Sequence, residues 1–497
     1  MARQLTTKAQ VNGYRFLLRR LEHALVRRDV RMLHDPMRSQ IQALLVGSVI
    51  GLLLLGGCGV WGLVKPQGSV GDAKIVVSKD GGGNYVLLDD TLHPVLNLAS
   101  ARLITGSSET PKTVSDGKLT GYRRGPLLGI PGAPAALNGS AHAGTSTWTV
   151  CDSSTVSAEV SGESVELAVI GDTPVLGSGV DRAASDKALL VRSAGKTFLV
   201  YDDDSTPVRA EVDTKSVPVM RALGLENATP RDISTGLLNA IGEVEPLTVP
   251  AIDDAGKPST SVPGSTIGSV VRTVGINDQT SYFVVLGDGT QQISEATAEI
   301  LRLADRAGAA PVKTVAPGAM AASPSAVKLP IDRFPARRPT LLASSSDPVV
   351  CQSWTRSRDN SAAKTELLVG RRLPLGDGAT PVAVSSADGS GPGVDEVYLR
   401  PGSGEYIQVT GAEADSTRAE SRFYVSDSGV KFGIPDAATG SVLGLGDSPS
   451  PAPWSMVSLL VSGPTLSRAN ALVSHDAIAP DSEGRGISPP SGAAPAN

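Results

Sequence analysis

The sequence predicts one transmembrane helix followed by a mixed α+β region built from two tandem-duplicated halves. Three observations predict it. Residues Gln40 to Val64 are 25 positions without a charge. Strand and turn signals then recur at a spacing of about 200 residues through the rest of the chain. The composition is rich in Gly, Ala, Ser, Thr and Pro with only 4% aromatic residues, which favours several small units of short strands over one large core.

The apolar run Ile41 to Val64 holds 24 residues, about 36 Å as a helix and enough to cross a hydrocarbon core of about 30 Å. Nine Lys/Arg and three acidic residues precede it, whereas 36 basic and 47 acidic residues follow residue 40. By the positive-inside bias the N-terminus stays cytoplasmic and the bulk of the chain lies across the membrane. A cleaved signal peptide fits poorly, because the charged head is too long and the run exceeds the roughly 7–15 residues of an apolar signal core. Leu55-Gly-Gly-Cys58 does look like a lipoprotein cleavage box, so a lipid-anchored envelope binder is one alternative. Trp61 and Lys65 mark the outer interface. Ala43, Gly47 and Gly51, four apart, form a small-residue stripe that suits close helix packing within the span.

The head, 1–40, has its own pattern. Tyr14, Leu17, Leu18, Leu21, Ala24 and Leu25 fall on one helical face, with Arg15, Arg19, Glu22 and Arg27 around the other. Asp35-Pro36 ends that helix before the membrane. A basic amphipathic helix in this place serves a partner subunit or an anionic lipid surface. Nucleic acid is disfavoured, since no surrounding fold would present the helix to a groove.

Repeats organise the remainder. Tyr85-Val-Leu-Leu-Asp-Asp-Thr-Leu-His-Pro-Val95 matches Phe283-Val-Val-Leu-Gly-Asp-Gly-Thr-Gln-Gln-Ile293, and each is followed by a helix-like run, Leu98 to Ile104 and Ala296 to Leu303. Gly179-Val-Asp181 matches Gly393-Val-Asp395, Phe198-Leu-Val200 matches Phe423-Tyr-Val425, and Leu-Gly-Leu stands at 223–225 and 443–445. The predicted organisation is therefore a transmembrane helix at 41–64 and four strand–helix units at 73–135, 197–250, 266–335 and 409–476. These flank a shared β-rich middle made of 146–196 and 345–408. A linker is expected at 251–265 and a disordered tail at 477–497. Asp288-Gly289 and Ser428-Gly429 are hairpin signals.

Cys151 and Cys351 occupy matching positions of the two halves outside the membrane, and in an oxidising compartment that symmetry predicts a disulfide. No metal site is expected, since neither cysteine has a histidine close in sequence. No zinc-protease or nucleophile-elbow motif occurs. Gly195-Lys196-Thr197 lacks the glycine five residues upstream that lets a phosphate loop wrap its ligand, and Phe198 onward reads as a strand. With Asp202 these residues are weak nucleotide candidates, and neither a catalytic residue nor a cofactor is expected. Asp202-Asp-Asp204 reads as turn acids, and Gly81-Gly-Gly83 as a loose turn.

A family resemblance rests on specific runs. The head Gln10-Val-Asn-Gly-Tyr-Arg-Phe-Leu-Leu-Arg-Arg-Leu-Glu-His-Ala-Leu-Val-Arg-Arg-Asp29 resembles the start of EccB, the single-pass core component of mycobacterial type VII (ESX) secretion systems. So do Lys65-Pro-Gln67, His93-Pro-Val-Leu-Asn-Leu-Ala-Ser-Ala-Arg-Leu-Ile104, Gly125-Pro-Leu-Leu-Gly-Ile-Pro-Gly-Ala-Pro134, Ala452-Pro-Trp454 and Gly463-Pro-Thr-Leu-Ser-Arg468. The resemblance implies a structural subunit of an inner-membrane export complex, alongside an EccC-type ATPase, EccD, EccE and a mycosin protease. It implies an elongated periplasmic part with repeat units around a central domain, self-association through that part, and a disulfide that Cys151 and Cys351 would match. Family members are also often labelled ATPases. An ATP-hydrolysing component is therefore the alternative function, although no Walker motif stands at matching positions.

Overall fold

The computed structural model describes residues 7–29, 36–64, 70–140, 144–156, 163–177, 179–276, 278–305, 312–357, 360, 362–388 and 393–479. The side chain of Trp61, Lys65-Pro-Gln67, His142 and the expected tail from residue 480 lie outside the described residues. The chain divides into two compact units, Met1–Gly71 and Asp72–Asn497.

The first unit holds two helices. Helix α1 (Lys8–Arg27) starts at a capping box, in which the Thr7 side chain takes the Gln10 amide while Gln10 Oε1 accepts from Thr7 N at 3.0 Å. It ends where Arg28 turns left-handed and donates its N–H to Ala24 O. Helix α2 (Pro36–Val64) opens on proline, which loses nothing at a first helical position. Within it Ile41–Val60 has a mean hydropathy of 2.3 and none of it is buried, so composition and length suit a membrane crossing.

The second unit is a sheet-rich α/β assembly. Sheet I is a meander of Ile75–Ser78, Asn84–Leu88 and Thr91–Val95, followed by helix α3 (Leu98–Thr105). Lys112–Val114 then pairs parallel with the first strand, and Leu127–Leu128 parallel with the third. Sheet II follows the same order: Lys187–Ser193, Lys196–Asp203 and Thr206–Val212, then helix α4 (Val217–Ala222). Arg231–Asp232 returns parallel to the first strand, helix α5 (Thr235–Ala240) follows, and Gly242–Leu247 runs parallel to the third. Sheet III has Val270–Val274, Thr280–Val285 and Thr290–Ile293, then helix α6 (Glu295–Ala304), Lys313–Thr314 parallel to the first strand and helix α7 (Pro317–Ala321). Sheet IV has Gly404–Thr410, Arg422–Ser426 and Val430–Ile434, then helix α8 (Ala437–Val442). Ser450–Pro453 returns parallel to its first strand, helix α9 (Trp454–Val457) follows, and Val461–Ser462 lies parallel to its third.

The central sheet joins the two halves. Thr145–Val156 pairs antiparallel with Val349–Ser357, in register from Thr145↔Ser357 to Ser153↔Val349. Each makes a hairpin within its own half, with Glu163–Ile170 and Lys364–Gly370. The outer strands are exchanged. Glu396–Tyr398 of the second half pairs with Glu163–Ile170, and Val180–Arg182 of the first half pairs with Lys364–Gly370. The two Gly-Val-Asp triplets thus do different jobs, because Val180-Asp181 pairs antiparallel while Val394-Asp395 only leads into a parallel strand.

Hydrophobic cores fix the neighbours. Leu103, Ile104, Tyr424, Phe432 and Leu443 pack sheet I against sheet IV through α3 and α8. Leu199, Leu223, Val284 and Ile300 pack sheet II against sheet III through α4 and α6. Trp148, Val150, Leu237, Trp354, Met456 and Val457 set one face of the central sheet against α5 and α9.

Three boundaries differ from expectation. Lys187–Ser193 belongs to sheet II, ahead of residue 197, because Ala194 (φ 49°) and Gly195 (φ 78°) make a two-residue turn that ties it to Lys196–Asp203. Gly404–Thr410 likewise belongs to sheet IV, ahead of residue 409. The 251–265 segment is anchored: Gly256 N donates to Ile267 O, Ser259 N to Ser265 O, and Val262 is buried.

Candidate functional site

The weak nucleotide candidates do not converge. Gly195 is the second residue of the hairpin turn, and no helix follows it. A phosphate loop needs consecutive backbone N–H groups opening into a helix; here they enter a strand ladder instead. Lys196 Nζ donates to Glu211 Oε2 at 2.8 Å across the neighbouring strand, and that carboxylate raises the lysine's pKa. Thr197 pairs with Arg192 in the ladder. Asp202 lies six strand positions from Lys196, roughly 20 Å at about 3.3 Å per residue. Its Oδ1 accepts from Ser205 N at 2.9 Å, closing the turn in which Asp204 and Ser205 take positive φ. Asp203 is engaged by Arg333 at 2.8 Å. The acids therefore build a hairpin end. Among the described residues no group of three or more His, Cys, Asp or Glu is placed to hold a metal ion.

Cys151 and Cys351 are bonded, with Cα atoms 4.0 Å apart at directly opposed positions of the central pair. Both are fully buried on the face carrying Ala168, Ile170, Val349 and Leu368. The opposite face carries Trp148 and Trp354, also in direct register.

Beside those tryptophans lies a buried polar node that sequence reasoning missed. Asp152 accepts from Ser234 N at 2.6 Å and from Ser234 Oγ at 2.7 Å. Ser234 is the N-cap of α5, its Oγ also accepting from Leu237 N. Burial pushes the Asp152 carboxyl up to about 6, against the Ser234 hydrogen bonds and the Arg231 charge, while Asp395 adds to the rise. Arg231 donates to Ser154 Oγ, Asp347 O and Pro348 O. Asp395 accepts from Leu167 N at 2.9 Å across the exchanged strand. The Ser234 and Arg231 contacts clamp sheet II onto the central sheet, and the Asp395 contact ties the exchanged strand within it. Their only sequence signal was one acid, Asp152, in a strand otherwise free of charge.

In the first unit, Ala43, Gly47 and Gly51 recur one turn apart on α2, and a Cβ at either glycine would meet nothing within 4 Å. On α1, Tyr14, Leu17, Leu18 and Leu21 are exposed, as are Arg15, Arg19 and Arg27. No residue of α1 is buried.

The described residues thus hold one span-length helix and a sheet-rich region joined by the Cys151–Cys351 disulfide. The family model described as "Type VII secretion system ESX-1, transport TM domain B" matches residues 3–480. This chain belongs to that family, EccB. Among its EccB relatives, the "ESX-3 secretion system ATPase EccB3" of Mycolicibacterium smegmatis is 38% identical over 491 residues, 96% of this chain and 92% of that protein. One chain of an intact ESX-5 inner membrane complex matches with a TM-score of 0.74 at 32% identity, covering 98% of this chain and 99% of its own. A chain of the periplasmic assembly from the ESX-5 inner membrane complex matches with a TM-score of 0.71 at 32% identity, over 84% and 100%.

Proposed function

We propose that this chain is a structural subunit of a type VII secretion inner-membrane complex, scaffolding the periplasmic side of the export channel. The observation that carries this reading is its full-length likeness to one chain of an intact ESX-5 inner membrane complex. The charge bias around α2 supports a cytoplasmic α1 and a periplasmic bulk. In this reading the exposed face of α1 meets neighbouring subunits of the EccC, EccD and EccE types. The Ala43, Gly47 and Gly51 stripe packs against another membrane helix. The outer region associates with its own copies and with a mycosin protease, and sheets I to IV act as four repeat units of an elongated arm around the central sheet. Their shared order of meander, helix and parallel return strands supports that division.

Affinity purification of the tagged chain from native membranes tests the reading. It predicts co-purifying EccC-, EccD- and EccE-type subunits, lost when residues 1–38 are deleted. A chain that purifies alone from membranes with an intact system overturns it. Protease added to spheroplasts tests the orientation: the bulk should be cut and the head protected.

The word ATPase in the relatives' names favours a second reading, ATP hydrolysis. What supports the structural reading over it is the hairpin at Gly195-Lys196-Thr197 and the engagement of Lys196 by Glu211. ATP turnover by the purified chain that disappears in Lys196→Ala would reverse that order.

A further inference from the structure

The Leu-Gly-Leu triplets, which the scaffold reading leaves unused, mark two corresponding junctions. One closes α8 and the other closes α4, and Gly444 and Gly224 sit at φ 74° and 70°. Their caps match. Gly444 N donates to Ser441 O and Leu445 N to Gly440 O, as Gly224 N does to Arg221 O and Leu225 N to Met220 O. Each glycine also carries an arginine where a Cβ would stand, Arg102 over Gly444 and Arg338 over Gly224.

The two arginines are used differently. Arg102 Nη1 donates to Leu443 O at 2.6 Å, so its junction is closed. Counted from the helix caps Asn97 and Ser294, the α6 residue in the place of Arg102 is Glu299, which pairs with Arg302 at 2.8 Å instead. Arg338 reaches the second junction from another segment and has no hydrogen-bond or ion-pair partner among the described residues. It borders an open cleft of about 300 Å³ between α4 and α6, together with Arg221 and Arg272. Arg221 engages Glu226 through Nε at 3.0 Å, and Arg272 engages the Thr314 hydroxyl through Nε at 3.1 Å, so among the described residues the Nη groups of both are uncommitted. Against these three guanidinium groups the cleft sets Glu299, already paired, and Glu295. Such a concentration of positive charge stands out in a region with 36 basic and 47 acidic residues.

We propose that this cleft binds a short acidic polypeptide segment, whose carboxylates engage Arg338, Arg272 and Arg221. Guanidinium forks match carboxylate geometry two bonds at a time. Tyr282, Ala298 and Val312 supply an apolar wall for the stem of a glutamate side chain. A phosphate fits less well, because no glycine loop of N–H donors lines the cleft and Glu295 opposes a second negative charge.

The test uses the purified full-length chain in detergent with fluorescein-labelled hexaglutamate, read by anisotropy. It therefore fails or succeeds independently of whether the chain scaffolds an export complex. Saturable binding is expected, weakened at least about tenfold by the double variant Arg338→Gln/Arg272→Gln, since two charge-assisted bonds are lost. Glu295→Gln should tighten binding roughly two- to fivefold, an effect that misfolding would not produce. Lys112→Gln, an exposed cation on sheet I, should leave it unchanged. Equal affinity in the wild type and the double variant overturns the proposal. So does equal weakening by Lys112→Gln, or displacement by pyrophosphate at lower concentration than by unlabelled peptide.

Discussion

Sheets I and IV meet at a junction closed by the Arg102–Leu443 hydrogen bond, whereas sheets II and III meet beside an open cleft lined by guanidinium groups. Tyr406, Tyr424 and Phe432 fill the first junction. Asn138 N donates to the Tyr424 hydroxyl at 3.0 Å, and Ser140 Oγ to Glu405 at 2.7 Å, adding polar ties. The second junction has Leu190, Val208, Leu223, Val284 and Ile300 with Tyr201 and Phe334, and its polar ties include Tyr201 donating to Arg333 O and the Arg333–Asp203 ion pair. The same element order, ending in the same Leu-Gly-Leu cap, thus yields one sealed contact and one that keeps its guanidinium groups available. At the cap itself the difference lies at one α-helical position, Arg102 against Glu299, and in the segment that brings Arg338 over Gly224.

The largest perturbation removes what both junctions hang from. Cys151→Ser with Cys351→Ser opens a crosslink spanning 200 residues, worth roughly 5 kcal/mol in the chain-entropy model. Thermal melts of the full chain should show one large drop, and export complexes should lose assembly at growth temperature. A loss confined to one junction, seen as hydrogen-exchange deprotection of only one sheet pair, would break the picture of a shared centre.

Next in size is the Asp152 node, which clamps sheet II but has no counterpart beneath sheet IV in the contacts described above. Its folded pKa of about 6 lies above the ordinary 3.8, so the protonated form is the one folding favours. The stability it contributes is present below about pH 4 and is lost as pH rises through 6, a few kcal/mol over the full range. Between pH 5 and 7.5 the wild type should therefore lose more melting temperature than Asp152→Asn. Parallel pH curves for the two proteins would show that the Ser234 and Arg231 contacts outweigh burial.

Much of the fold was legible because its signals are local. An uncharged run, an amphipathic helix, the helices after Asn97 and Ser294, and the hairpins at Asp288-Gly289 and Ser428-Gly429 each need only a few adjacent residues. The disulfide was legible because Cys151 and Cys351 stand at matching places in two similar runs of sequence about 200 residues apart. The exchanged strands were not, since Glu396–Tyr398 and Val180–Arg182 are three residues long and gain their pairing from the other half. Ala194 at positive φ carries no turn signal, which is why the start of sheet II was missed. Asp152 and Ser234 are 82 residues apart, and Arg102 and Leu443 are 341 apart; no pattern of spacing announces such contacts.

The smallest effects sharpen the comparison most, because they set the two caps side by side. Gly444→Ala and Gly224→Ala both force a side chain into a left-handed turn, costing about 1–2 kcal/mol each. The methyl at 224 would stand closer to Arg338 Nε than the methyl at 444 would to Arg102 Nη1, at 2.8 Å, yet Gly444→Ala should cost more, because the exposed Arg338 side chain can swing aside whereas Arg102 would give up its bond to Leu443 O. Arg102→Ala should cost about 1–3 kcal/mol, the penalty of leaving a part-buried carbonyl unpaired. Arg338→Ala should stay within about 0.5 kcal/mol, as for an exposed side chain whose donors have no acceptor among the described residues. Urea denaturation of the four variants checks the order. If Arg338→Ala proved as costly as Arg102→Ala, the second junction would be held by its arginine as the first is, and the cleft would have no cation to offer a ligand.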